Sequence, residues 1–342
     1  MAKVTIADIA REAQVSVTTV SRFINGNYGK MSQATRNRVQ DTITRLDYRP
    51  SASARRMRQQ STHVVGVIVS DISNVFSSLL FSGIYTELQP AGYDVMLMNS
   101  NNSVREEHDE IERLLAQEAD GLIIQPNSTD FRSYEDVTSA RVPLVMVDRR
   151  PPNQPDSVTS IVSNNREACH DLVGRLADMG YDNLVVVRRL RSDLSAQTPR
   201  VEGLKQAAEE RHVLMVTIGA EGQDAAWLQR EIDTTLRHLN GRTALVSLMG
   251  PTLFDILTAL RNLGITFPDD IGLVSFDDWR WSQHVRDGVY LLEQDPRILG
   301  QESAKNLLEQ IRAKESGSGG NDPYTASRQL VLPVSIVKAP SI

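Results

Sequence analysis

At 342 residues the chain is too long for one small domain and predicts two or three. Its 40% hydrophobic content is ample for a packed core, yet no apolar run is long enough for a membrane helix, and the opening MAKVTIADIAREAQ lacks the apolar centre of a secretory leader. One cysteine, Cys169, excludes an internal disulfide or a cysteine-built metal site, so a soluble cytoplasmic protein without cofactor or metal is expected. The net charge of −6 hides a split: residues 1–60 carry 11 Lys and Arg against 4 Asp and Glu, while the remainder carries 26 against 39. A basic head on an acidic body predicts a polyanion partner for the head alone.

The head reads as three short helices. Thr5 predicts the first cap, with Asp8 at capping-box spacing, and Ile6, Ile9, Ala10 and Ala13 form one apolar face. After the short link QVS, Ser16 predicts the second cap; Val17, Val20 and Phe23 follow on a rough stripe, and Asn25-Gly26 ends the helix. Ser32 predicts the third cap, before a helix that turns Val39, Ile43 and Leu46 inward. Two helices joined by a tight turn, the second rich in small polar residues, form a helix-turn-helix pattern. Val20 and its neighbours pack on the first helix, which leaves Val17, Thr18 and Arg22 to enter a major groove. Thr18 offers a methyl and a hydroxyl to a base edge, and Arg22 offers a bidentate fork to guanine. Ser16, Thr19, Ser21 and Asn25 are of the type that grips phosphates, and Thr5 completes the expected DNA-facing set.

The stretch RPSASARRMRQQST follows, too short and polar to be a stable helix alone. It is expected to become helical on meeting DNA and a second copy. Small Ala52, Ser53 and Ala54 let two such helices approach, and Met57 can wedge into a base step from the minor groove.

From Val64 the pattern changes to short apolar runs (VVGVIVS, YDVMLMN, DGLIIQP, VPLVMVD, TSIVSN, NLVVV, LMVTIG, TALVSL, IGLVSF) alternating with helical stretches. Such alternation predicts doubly wound parallel sheets, and about ten strands are too many for one sheet of this size. Two α/β lobes result, with the break near residues 151–160 and a flexible connection at ESGSGGNDP before the closing strands QLVLP and SIVKA. The expected division is 1–49 head, 50–60 hinge and 61–342 body. Lobe one is about 61–160 with 293–323, and lobe two about 161–292 with 324–342.

Ligands of open α/β sheets bind beyond the carboxyl ends of the strands. Those ends are Ser70–Phe76, Gln125, Asp148–Arg149, Ser163–Asn164, Arg188–Arg200, Met249 and Asp277–Trp279. Aromatics, carboxylates, amides and arginines together suit a polyhydroxylated or charged small molecule. Catalytic signatures are lacking: no zinc-protease, P-loop or nucleophile-elbow motif occurs, and the glycines of SGSGGN do not open a helix after a strand. Cys169 reads as a buried structural thiol, and Asp277-Asp278 as a hydrogen-bonding ligand and a cap.

The stretches VTIADIAREAQVSVTTVSRFING, MSQATRNRVQDTITRLDYRPSASARRM and VVGVIVSDISNVFSSLLFSGI closely resemble the lactose-repressor (LacI/GalR) family of bacterial transcription regulators. The resemblance continues through ADGLIIQP, VPLVMVDR, RVEGLKQA, FPDDIGLVSFDD and EQDPRILGQESAKNLL to LVLPVSIV, essentially the whole chain. It implies an N-terminal three-helix helix-turn-helix head, a hinge helix and a two-lobed, doubly wound α/β effector domain like a periplasmic sugar-binding protein. It also implies a homodimer on a palindromic double-stranded operator, under allosteric control of a small effector that shifts the population of an ordered hinge. By position Val17, Thr18 and Arg22 match base readers, and Met57 the minor-groove wedge, usually leucine. Asn74 and Phe76 match ligand-facing positions of one lobe, Arg200 and Asp277 those of the other.

There are departures. Met249-Gly250 stands where many members have Asn-Asp, and Val162-Ser163-Asn164 where they often have Val-Asp-Asn. A Gly-Pro turn is replaced by RRLRS. If Arg188, Arg189 and Arg191 border the cleft they favour an anionic effector; if they face solvent they say nothing of it. NGNYGKMSQATRNRV and SFDDWRW resemble the branch that responds to 2-keto-3-deoxygluconate and related sugar acids. The expected effector set is Asn74, Phe76, Gln125, Arg149, Asn164, Arg200, Met249, Asp277 and Trp279, with Trp281 also near the cleft. The function expected is that of a repressor of carbohydrate genes. A transporter's solute-binding protein explains the body but not the head, and an enzyme lacks its motifs. The C-terminal VSIVKAPSI carries no leucine heptads, so a dimer is expected rather than a tetramer.

Overall fold

The computed structural model describes residues 4–24, 26–29, 31–48, 61–191, 194–277, 279, 281–316, 323–326 and 328–342. It divides into two units, 1–62 and 63–342.

The head holds α1 (Ile6–Glu12), α2 (Val17–Ile24) and α3 (Gln33–Arg45). The three expected caps form. Thr5 Oγ1 accepts from the Asp8 amide at 3.3 Å while the Thr5 amide donates to Asp8 Oδ2 at 3.0 Å, a reciprocal capping box. The Thr19 amide donates to Ser16 Oγ at 3.1 Å, and the Thr35 amide to Ser32 Oγ at 3.2 Å. Ile9, Ala10, Ala13, Val20, Phe23, Val39 and Tyr48 make the small core. Val17, at the end of the predicted stripe, faces outward.

The body begins with β1 (Val64–Val69), α4 (Val75–Leu88), β2 (Asp94–Asn99), α5 (Val104–Ala116), β3 (Gly121–Ile124), α6 (Glu135–Ser139), β4 (Leu144–Val147) and β5 (Thr159–Ser163). It continues with α7 (Asn165–Asp178), β6 (Asn183–Arg188), α8 (Gln197–Arg211), β7 (Leu214–Gly219), α9 (Ala225–Arg237), β8 (Thr243–Ser247), α10 (Gly250–Leu263) and β9 (Gly272–Phe276). β10 (Tyr290–Glu293), α11 (Pro296–Ser316), β11 (Gln329–Leu332) and β12 (Ser335–Val337) close the chain.

Two six-stranded sheets form, in the orders β11-β5-β4-β3-β1-β2 and β12-β10-β9-β8-β6-β7. All pairings are parallel except β10 with β12. Helices cover both faces, so central strands such as VVGVIV are apolar throughout instead of alternating. The chain passes between lobes after β5, after β10 and after β11.

This corrects the expected lobe boundaries. Residues 161–163 belong to β5, which pairs with β4, and β11 pairs with β5, so both lie in lobe one. The proline-rich 151–155 segment is a loop within that lobe, not the link between lobes. Buried strands of both sheets have the same composition, so their runs carry no label saying which sheet they join. β10 was not among the predicted strands. Among the described residues no helix is long and apolar enough to cross a membrane.

Candidate functional site

The carboxyl ends of both sheets meet at a cavity within the body. One wall comes from lobe two. Asp277, 4% exposed, accepts from the Gln294 amide at 2.7 Å and from Gln294 Nε2 at 2.8 Å, and lies 3.7 Å from Arg200 Nη2. Arg200 donates to Asn165 Oδ1 at 2.9 Å and to the Leu248 carbonyl at 2.6 Å, and its guanidinium lies 3.7 Å from the Phe276 ring centroid. Burial pushes the Asp277 carboxyl up to about 6 against the attraction of Arg200, and burial also lowers Arg200.

Lobe one supplies a matching wall. Gln125 Nε2 donates to Asp148 Oδ2 at 2.8 Å while Gln125 Oε1 accepts from the Ser70 amide at 2.9 Å, and Arg149 Nε lies 3.4 Å from Asp148. Each lobe therefore offers a glutamine, an aspartate and an arginine. Each aspartate directly follows a strand and holds a left-handed backbone, φ 69° at Asp148 and 46° at Asp277. Such conformations in non-glycine residues cost energy and cluster at ligand sites. Phe76 and Trp279, from opposite lobes, approach with ring centroids 6.1 Å apart and form an apolar side to the cavity.

Beside the cavity is a recess lined by Ser70, Asp71, Asn74, Ser77, Asn102, Gln125, Arg149, Arg189, Arg191, Ser195, Gln197 and Met249. Gln197 fixes the arginine segment by donating to the Arg189 carbonyl at 2.8 Å and accepting from its amide at 3.0 Å. Arg189 pairs with Asp255 at 3.0 Å, and Arg191 reaches across to Asp71 of lobe one at 2.9 Å. Arg188 pairs with Glu221 at 3.4 Å and borders neither space. The free space is about 70 Å³ in the cavity and about 60 Å³ in the adjoining recess.

Arg189 Nε and Nη2, Asp148 Oδ1 and Gln294 Oε1, all on residues of these walls, are buried without a hydrogen-bond partner. Two are donors at the recess and two are acceptors at the cavity. Buried polar groups are normally satisfied, so a ligand that accepts at one end and donates at the other fits this set.

Behind the lobe-one wall lies a buried carboxyl. Glu107, 1% exposed, accepts from the Tyr134 hydroxyl at 2.6 Å and from the Asn127 amide at 2.8 Å. Burial pushes Glu107 up to about 7 and raises Tyr134. Asn127 Oδ1 in turn accepts from Arg149 at 3.1 Å, and Arg149 also donates to the carbonyls of Pro126 and Leu194.

Asn74, Phe76, Gln125, Arg149, Arg200, Met249, Asp277 and Trp279 all border the cavity. Asn74 Oδ1 also caps α4 by accepting from the Phe76 amide at 3.1 Å. Asn164 does not border it. Its Oδ1 accepts from the Val334 amide at 2.6 Å, because the end of β5 is where the chain leaves for the second lobe. Trp281 is 63% exposed and stands apart from the cavity, because it follows the strand end by five residues and starts a surface turn. Gln294 was missed because β10 was missed; the strand-end rule applied to YLLE would have found it. Cys169 is buried, and burial pushes its thiol up to about 12, unsuited to nucleophilic work.

On the head, Ser16, Val17, Thr18 and Arg22 are exposed along α2, with Thr19 and Ser21 half-buried. The Ser16 and Thr19 hydroxyls bond each other at 2.9 Å, and the exposed Thr5 hydroxyl is held by Asp8 at 2.7 Å. Asn25, Ser53, Ala54 and Met57 lie outside the described residues.

Residues 5–51 match the model of bacterial regulatory proteins of the lacI family, and residues 62–338 that of periplasmic binding proteins and the sugar binding domain of the LacI family. The HTH-type transcriptional regulator PtxS of Pseudomonas putida is 28% identical, over 95% of this chain and 94% of its own. The HTH-type transcriptional regulator KdgR of Bacillus subtilis is 26% identical, over 90% and 91%. A crystal structure of the Lac repressor dimer bound to operator and an anti-inducer shares the fold, with a TM-score of 0.81 at 24% identity over 99% of each chain.

Proposed function

The chain belongs to the lacI family of bacterial regulatory proteins, and from that premise we propose a repressor of carbohydrate-utilisation genes whose effector is a sugar acid. Two copies, acting as a cytoplasmic homodimer, set two α2 helices on a palindromic operator. Val17, Thr18 and Arg22 read base edges, while Ser16, Thr19 and Ser21 lie toward phosphates. The protein is a binder rather than a catalyst: an effector regulates it by favouring one lobe arrangement over the other.

The observation that carries the sugar-acid reading is the polarity of the unsatisfied atoms. Asp148 Oδ1 and Gln294 Oε1 call for hydroxyl donors, and Arg189 Nε and Nη2 call for an anion. A sugar acid has both, and the Phe76–Trp279 pair suits the apolar face of its carbon chain. The likeness to KdgR and PtxS is consistent with this branch.

Isothermal titration of the purified protein with 2-keto-3-deoxygluconate, 2-ketogluconate, gluconate, glucose and ribose tests the reading. Saturable binding of a keto sugar acid, with neutral sugars at least about tenfold weaker, is expected from a charge-assisted arginine contact. Tightest binding of a neutral sugar overturns the sugar-acid assignment and leaves the regulator.

A further inference from the structure

We infer that the recess at Arg189 and Arg191 holds the carboxylate of the effector, and that this carboxylate replaces Asp71 as the partner of Arg191. The inference rests on the sugar-acid reading and adds a specific exchange to it.

The three arginines of the recess are held in different ways. Arg149 donates to the carbonyls of Pro126 and Leu194 and to Asn127 Oδ1, so it is fixed. Arg189 is anchored through Nη1 to Asp255 and keeps Nε and Nη2 unsatisfied, so it can accept an anion without giving anything up. The Arg191 side chain is 54% exposed, and its pairing with Asp71 is a single 2.9 Å contact at the rim. It is the arginine able to change partners.

Asp71 can be left behind at no more than the modest cost of a partly exposed ion pair. Its Oδ1 already accepts from the Ser73 amide at 2.9 Å and from the Ser73 hydroxyl at 2.5 Å, and its side chain is 22% exposed. Losing Arg191 therefore creates no buried, unpaired charge. Asp71 acts as a built-in carboxylate that occupies Arg191 until a ligand carboxylate takes over.

The exchange has a mechanical consequence. Asp71 precedes α4 in lobe one, whereas Arg191 follows β6 in lobe two, so their pair spans the two lobes. A sugar acid whose carboxylate takes Arg191 removes the ion pair that joins the lobes at this rim. A neutral sugar has nothing to exchange and leaves the pair in place.

Titration calorimetry of the full chain with 2-keto-3-deoxygluconate, on wild type, Asp71→Asn, Arg191→Gln and the double variant, tests the inference. Thermal melting confirms folding of each; both positions lie at the rim. Asp71→Asn is expected to tighten binding about threefold to fivefold, the scale of a partly exposed ion pair. Arg191→Gln is expected to weaken it about tenfold, and the double variant to match Arg191→Gln, since the competitor matters only while Arg191 is present. Unchanged or weaker binding by Asp71→Asn, or additive effects in the double variant, overturns the exchange. Unchanged binding by Arg191→Gln overturns the subsite. Absence of binding by wild type overturns the sugar-acid reading itself, and the subsite with it.

Discussion

Replacing Glu107 by glutamine should change how stability depends on pH, and the size follows from the site. Glu107 is buried and accepts two hydrogen bonds, and burial pushes it up to about 7 from an ordinary value of 4.5. Its folded value is raised, so between these values the native state binds more protons than the unfolded state. Stability is therefore greatest at the acidic side and falls as pH rises through the window. For a folded value near 7, the loss between pH 5 and pH 8 is about 2–3 kcal/mol. Glutamine does not titrate, but its amide nitrogen, in place of one carboxyl oxygen, faces a donor from Tyr134 or Asn127 and cannot accept from it, which costs about 1–3 kcal/mol. Urea unfolding of both proteins at pH 5, 6, 7 and 8 separates the two terms. The variant should be the less stable at pH 5 and gain on wild type by about 2–3 kcal/mol at pH 8. A difference constant across that range refutes the reasoning and means that Tyr134, Asn127 and Arg149 fully offset the burial of the charge.

Arg22→Ala should lose about 1–3 kcal/mol of binding at one base position of an operator selected from random DNA; a uniform loss across sequences makes Arg22 a phosphate contact. Gly83→Ala should destabilise the body by about 1–3 kcal/mol, read by thermal melting, because overpacking forces backbone shifts: its Cβ would lie 2.1 Å from the Arg297 carbonyl where α4 meets α11. An unshifted melt contradicts that close crossing. Asp277→Asn keeps the side-chain volume but removes the charged acceptor, so sugar-acid affinity should fall about tenfold or more while the head still binds DNA; unaltered affinity moves the site elsewhere.

The head was legible because its determinants are local. Thr5, Ser16 and Ser32 cap the helices within three residues of themselves, so sequence spacing is enough to find them. The cleft was legible through a topological rule, that ligands sit past strand ends, which needs only the position of each strand. Asn164 shows where the rule stops. A strand end where the chain changes lobe spends its amide on Val334, a partner 170 residues away that no local pattern reveals. The same holds for β5 and β11, whose sheet is fixed by long-range pairing alone. The arginine segment divided in a way no composition could foretell: Arg188 turns to Glu221, while Arg189 and Arg191 line the recess. The Glu107 network was invisible because α5 reads as an acidic surface helix, and only the fold turns that one carboxylate inward.

The central claim is that a small molecule in the cleft governs DNA binding by the head. Fluorescence anisotropy of a labelled operator, selected from random DNA, with the full-length protein and increasing 2-keto-3-deoxygluconate tests it most directly. The account predicts that operator affinity falls by tenfold or more on saturation, a coupling of about 1.4 kcal/mol or more, and that Asp277→Asn displaces the shift to about tenfold or more higher sugar acid. Operator affinity that stays constant while the sugar acid saturates the wild-type cleft would contradict it.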